Sequence, residues 1–158
     1  MGIPSRYEAF WAAAERAQVA LDRHRFLEAF AFGGSEHLAA TLAELVLTGA
    51  KRATASLAWV YEFEKRPQPR CGDLSIVTSW AGEPLCIIET TAVDVLPFDA
   101  VPEDFARAEG EGDGTLASWR VLHTEFFAGE CARIDRVPSA TMPVVCERFR
   151  VVFPPEAR

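Results

Sequence analysis

Two alternating stretches placed back to back set the firmest limit on what this chain can fold into. Leu74, Ile76, Thr78 and Trp80 alternate with Asp73, Ser75, Val77 and Ser79, and a second extended run follows from Leu85 to about Val95. Between them lies the turn sequence Ala81-Gly82-Glu83-Pro84. Side chains of a strand alternate between two faces, so two such runs joined by a short turn specify an antiparallel hairpin. A hairpin alone is marginal in water, and the flanking segments must cover it.

Those flanking segments are largely helical. Ser5-Arg6-Tyr7-Glu8 reads as a capping box, and Phe10, Ala14, Ala17 and Leu21 recur at helical spacing, which predicts an amphipathic helix from residue 6 to about 20. Phe26, Phe30 and Phe32 ahead of Gly33-Gly34 predict a short extended segment and a turn. Ser35 can cap a second helix over about 36–48, with Leu38, Leu42, Leu45 and Val46 on one face and Gly49 ending it. A further helical turn is expected through Ala55–Tyr61, a short helix around Glu103–Ala108, and a long one beginning at Leu116 with Asp113 or Thr115 as its cap. Val144–Phe153 reads as a last strand. The expected class is α+β: helices on a small, mainly antiparallel sheet.

Composition narrows the function. The 158 residues are 49% apolar and 25% charged, enough for one domain with its own core, and no repeat or linker divides them. No apolar run reaches the length of a membrane span and no secretory leader opens the chain, so a cytoplasmic protein without a membrane partner is expected. The net charge is −7, with 9 basic and 8 acidic residues up to position 70 but 7 and 15 after it. A broad basic face is thus missing, and double-stranded DNA is not an expected partner. Cys71, Cys86, Cys131 and Cys146 form no CxxC pair, and the acid-rich run Glu109-Gly110-Glu111-Gly112-Asp113-Gly114 lacks calcium-loop spacing, so no metal and no cofactor are expected.

Candidate chemistry gathers in two places. Gly49-Ala50-Lys51-Arg52-Ala53-Thr54-Ala55-Ser56 sets a lysine and two hydroxyls just past a helix end, where an ammonium can hold an anion or polarise a carbonyl. Glu89 falls in the hairpin on the face of Leu85, Ile87 and Val93, where a carboxylate is costly unless paired. Lys51 is the leading partner for it. Trp119 and Arg120 open the long helix and could stack on a base, whereas His123, on the stripe of Phe126 and Phe127, reads as a core histidine. Arg52 and Ser56 complete the candidate substrate contacts.

Taken together, Leu45–Ser56, the Pro69-Arg70-Cys71-Gly72-Asp73 loop, the Cys86-Ile87-Ile88-Glu89 strand and the Glu109–Phe127 segment resemble the ASCH domain family over roughly residues 30–153. The resemblance implies a PUA-like small β-barrel with helices around a cleft, and a single domain over 1–158 with a helical extension of about 30 residues. It also implies RNA or a modified nucleoside as partner. Some members are similar to amidohydrolases acting on N4-acetylcytidine and others to ribonucleases, and the amidohydrolase lysine, threonine and glutamate map onto Lys51, Thr54 and Glu89. The expectation is a cofactor-free hydrolase, or alternatively a non-catalytic RNA- or nucleotide-binding module. Substrate and oligomeric state are left open.

Overall fold

A computed structural model describes residues 2–17 and 20–155. Five strands and five helices follow in the order α1 (Glu8–Arg16), β1 (Phe26–Phe30), α2 (Glu36–Leu47), β2 (Ala53–Leu57), α3 (Ala58–Glu64), β3 (Leu74–Thr78), β4 (Pro84–Pro97), α4 (Glu103–Glu109), α5 (Leu116–Arg133) and β5 (Pro143–Phe153). The strand order is β1-β3-β4-β5-β2. This is a mixed sheet with helices, α+β as expected, but the ladder is open where a closed barrel was expected.

The chain divides into two compact units, each assembled from separated segments, which is why no linker marks them. The first comprises Met1–Ala50, Arg70–Thr91 and Phe149–Arg158. Here β3 runs parallel to β1 and antiparallel to β4, with Leu74 opposite Glu89 and Ile76 opposite Ile87. All five β3 residues are buried, because both faces are covered. On one face Tyr7, Trp11 and Ala14 of the N-terminal segment pack on Leu74, Ile76 and Ile87. On the other, Leu42 and Val46 of α2 pack with Phe32 on Val77, Cys86 and Ile88. Burying a side chain of this size removes about 1.5–3 kcal/mol of unfavourable hydration.

The second unit comprises Lys51–Pro69 and Ala92–Arg148. Its strand β2 pairs antiparallel with β5, Thr54 opposite Glu147 and Ser56 opposite Val145. Ala53, Ala55 and Leu57 of β2 are buried against Phe105 of α4 and Trp119 and Phe127 of α5. The amide of Arg52 donates to the Ala108 carbonyl at 2.7 Å, tying the entry of β2 to the last turn of α4.

Several local expectations change. The first turn, Ser5–Tyr7, is a 3-10 turn, and Ser5 makes no capping hydrogen bond. Helix α1 ends at Arg16; of the four further residues expected, 18 and 19 lie outside the described residues. The turn of helix expected from Ala55 starts only at Ala58, because pairing with β5 takes Ala53–Leu57 as a strand. The cap expectations hold: Ser35 accepts from the Leu38 amide, Gly49 takes a left-handed φ of 84°, and Thr115 accepts from the Ser118 amide. Asp113 braces Thr115, accepting from its hydroxyl at 2.6 Å. Thr115→Ala should therefore cost about 1 kcal/mol, read as a lower midpoint in urea denaturation with an unchanged slope.

Candidate functional site

Lys51 is the residue around which the second unit's polar groups assemble. The residue is 2% exposed, and its side chain is among the largest fully buried ones of the described residues. An enclosed ammonium needs acceptors for its protons and a counter-charge. The Lys51 Nζ donates to the Ala53 carbonyl at 2.7 Å, to Glu109 Oε2 at 3.0 Å and to Glu111 Oε2 at 3.1 Å.

Glu109 is held as tightly. It is the last residue of α4 and is 1% exposed. Its Oε1 accepts from the Trp119 indole at 3.0 Å and lies 3.3 Å from His123 Nε2. His123 Nδ1 lies 2.9 Å from the Trp119 carbonyl. A carbonyl oxygen only accepts, so Nδ1 is the donor there. The imidazole stacks on the Trp119 ring at 4.2 Å between centroids. Trp119 and His123 sit one helical turn apart on α5, which aims both at the end of α4.

The acid–glycine run makes this geometry possible. Gly110, Gly112 and Gly114 all have left-handed φ values, of 68°, 61° and 77°. Alternating them with acids folds the loop back, so that Glu111 reaches Lys51 while Asp113 braces the cap of α5. At Gly112 a Cβ would lie 2.3 Å from the Ser118 hydroxyl, and no larger residue fits there without displacing it.

The two carboxyls are pushed in opposite directions. Burial alone would raise Glu109, but the Lys51 ammonium, aided by hydrogen bonds from His123 and Glu111, outweighs it and holds the carboxyl well below the usual carboxylate range. Glu111 is raised, by burial and by the Glu109 carboxylate beside it, and Lys51 offsets only part of this. The site thus keeps one ionised acid and one acid that holds its proton more firmly than usual. Glu109, Glu111 and His123 also place a ligand atom each within 4.8 Å of one another, a donor set that suits a divalent ion. Lys51 supplies positive charge to the same two carboxylates.

Sequence reasoning found Lys51 but not its acids. The acid expected opposite it, Glu89, has both carboxylate oxygens on arginines: Oε1 accepts from Arg150 Nε at 2.7 Å and Oε2 from Arg25 Nη2. Trp119, expected to stack on a base, is 2% exposed and serves as donor to Glu109. Strand alternation turns Thr54 and Ser56 to the opposite face of β2 from Ala53 and Ala55, and the Ser56 hydroxyl meets the Tyr61 hydroxyl at 2.9 Å. Arg52 is exposed. Arg120 lines an open groove of about 650 Å³ with Phe98, Asp99, Thr124 and Met142. The signal that could have located Glu109 and Glu111 is their alternation with glycine. His123 is a core histidine as expected, but a hydrogen-bonded one. Cys86 and Cys146 are core thiols, which burial pushes up to about 12.

The family model for the ASCH domain matches residues 28–153. The ASCH domain from Lactobacillus crispatus JV V101 is 36% identical and superposes with a TM-score of 0.84, covering 96% of this chain and 97% of that one. Protein EF3133 from Enterococcus faecalis V583 is 33% identical with a TM-score of 0.81, over 92% of this chain and 86% of that one. No match was found among curated proteins.

Two stability measurements test the network. Glu109→Gln leaves the Lys51 ammonium short of counter-charge and should cost about 3–5 kcal/mol in chemical denaturation. For Glu111 the sign is opposite. Its folded pKa lies above the ordinary 4.5, so the folded chain holds an extra proton in that interval and loses stability as pH rises through it. Glu111→Gln keeps an acceptor and removes this loss. Its melting temperature relative to wild type should climb as pH rises above 4.5, and a difference independent of pH would contradict the assignment.

Proposed function

The chain belongs to the ASCH domain family, and we propose that it binds RNA or a modified nucleoside and hydrolyses it at Lys51 and Glu111. The observation that carries this reading is the enclosed ammonium flanked by two carboxyls whose proton affinities are driven apart. Pairs of this kind are how proteins prepare an acid or base matched to neutral pH.

The roles follow from exposure. Glu109, Trp119 and His123 are buried and hold Lys51 in place. The Glu111 side chain is 21% exposed, so it is the partner of Lys51 that a ligand can displace. A carbonyl or phosphoryl oxygen entering at Glu111 takes over one Lys51 proton, and the ammonium then meets the negative charge that develops on that oxygen. The displaced Glu111 carboxylate accepts a proton from the attacking water. In amide hydrolysis it returns this proton to the departing amine nitrogen as the C–N bond breaks; in RNA cleavage it takes the proton of the attacking hydroxyl as the new P–O bond forms and returns it to the departing ester oxygen as the old P–O bond breaks. A raised pKa makes it the stronger base.

Purified protein incubated with N4-acetylcytidine and with single-stranded RNA tests this. Lys51→Ala should lower kcat/KM by roughly 10²–10³-fold. Glu111→Gln should lower kcat by about 10²-fold or more. The acid limb of the wild-type rate should lie above the ordinary carboxylate range, since Glu111 must be ionised to act. Equal turnover by wild type and both variants would sink the hydrolytic reading. RNA binding without product would leave the non-catalytic binding module.

A further inference from the structure

We propose that Arg25 and Arg150, fixed on Glu89, form a phosphate-binding pair that takes the phosphate group of a nucleotide or an RNA strand. The inference rests on the nucleotide-directed reading above and names its substrate class. It also gives Glu89 a different task from the one its place in the hairpin suggested: Glu89 is a positioning residue for two guanidinium groups.

The cluster is built from three elements of the first unit. Glu89 lies on the β4 face that carries Ile87, opposite Leu74 in the ladder. Arg25 closes the 3-10 turn Arg23–Arg25 that leads into β1, and Phe26 of that strand pairs with Leu74. This register brings Arg25 to Glu89. Arg150 reaches it from β5, on the same side of that strand as Val152, which packs with the Tyr7 and Trp11 cluster. The Arg25 Nε donates to the Gly72 carbonyl at 2.5 Å, and the loop carrying Gly72 is pinned by the hydrogen bond from its amide to the Thr90 carbonyl at 2.8 Å.

Each guanidinium is committed in part. Arg25 spends Nε on Gly72 and Nη2 on Glu89, which leaves Nη1. Arg150 spends only Nε on Glu89, which leaves both terminal nitrogens. The side chains are 33% and 67% exposed, against 18% for Glu89. Two positive groups thus share one negative one, with the carboxylate at the bottom and spare donors at the surface. Burial would raise the Glu89 carboxyl, but its hydrogen bonds from Arg150 and Arg25 prevail and lower it, so it stays ionised as an anchor. Planar guanidinium donors fit the oxygens of a phosphate group, and anchoring them beforehand lowers the entropy lost on binding.

The test separates the pair from the reading it rests on. Inorganic phosphate is titrated into the ¹⁵N-labelled full-length chain while the arginine Nε–H signals are followed, and cytidine, cytidine 5′-monophosphate and a short single-stranded RNA are compared by calorimetry. The Arg25 and Arg150 signals should shift saturably with phosphate. The monophosphate should bind about tenfold tighter than cytidine. Arg150→Ala, at an exposed position that tolerates change, should erase that preference without altering cytidine binding, and Arg150→Lys should restore part of it. A saturable phosphate shift with no binding of cytidine or RNA would uphold the pair and overturn the nucleotide reading. Cytidine binding with no preference for the monophosphate and no phosphate shift would overturn the pair alone. An unchanged preference in Arg150→Ala would overturn it as well.

Discussion

The ion pair between Lys51 and Glu109 is the constraint from which the second unit takes its shape. With both side chains 1% exposed, neither charge has water to fall back on, and removing either would strand the other. Every remaining acceptor or donor must then come from the protein. The Ala53 carbonyl at the start of β2, the Trp119 indole and the His123 imidazole supply them. Helix α4 has to end at Glu109, α5 has to present Trp119 and His123 on one stripe, and Arg52 has to dock on Ala108. The surrounding apolar cluster of Phe105, Phe127 and Val144 then closes around a polar centre whose hydrogen bonds are already made.

The two polar clusters solve the same electrostatic problem with opposite signs. Around Lys51 one ammonium meets two carboxyls, one of which also faces the His123 imidazole. Around Glu89 one carboxylate meets two guanidinium groups, and the surplus is positive. The first cluster is enclosed, and burial together with the Glu109 carboxylate beside it raises Glu111. The second lies at the surface, so its surplus is relieved by water or by an anion from outside. Enclosure therefore shifts a proton affinity, and exposure leaves donors at the surface, from the same residue types.

What the sequence revealed was whatever short-range rules decide. The hairpin was legible because period-2 alternation and a Gly-Glu-Pro turn act within about twenty residues of each other. The caps at Ser35 and Thr115 and the stop at Gly49 were legible because they depend on neighbours three or four positions away. The strand at Ala53–Leu57 was not. Ala-Thr-Ala-Ser-Leu has no strong preference of its own, and pairing with Val144–Arg148, some ninety residues later, decides it. The same limit explains the half-found site. Lys51 is marked by its place beside hydroxyls past a helix end, and Glu89 by standing on an apolar face, and short-range rules alone pair the two. The acids that Lys51 meets lie about sixty positions away, in a run that reads equally well as a solvated loop. Only tertiary contact shows that alternate glycines fold this run inward.

The identity of the central cation has a consequence for the proton count. Two carboxyls and an imidazole within 4.8 Å form a donor set in which a divalent ion would draw both carboxylates into their ionised form. An ammonium carries half that charge. One carboxylate balances it, and the second is left with a like-charged neighbour and little water, conditions under which a carboxyl keeps its proton. Glu109 takes the balancing role because Trp119 and His123 stabilise its ionised form, and Glu111, at the loop and partly open, is the carboxyl whose proton affinity rises. With the Lys51 ammonium on both carboxyls, the more accessible of the two is the one whose proton affinity rises.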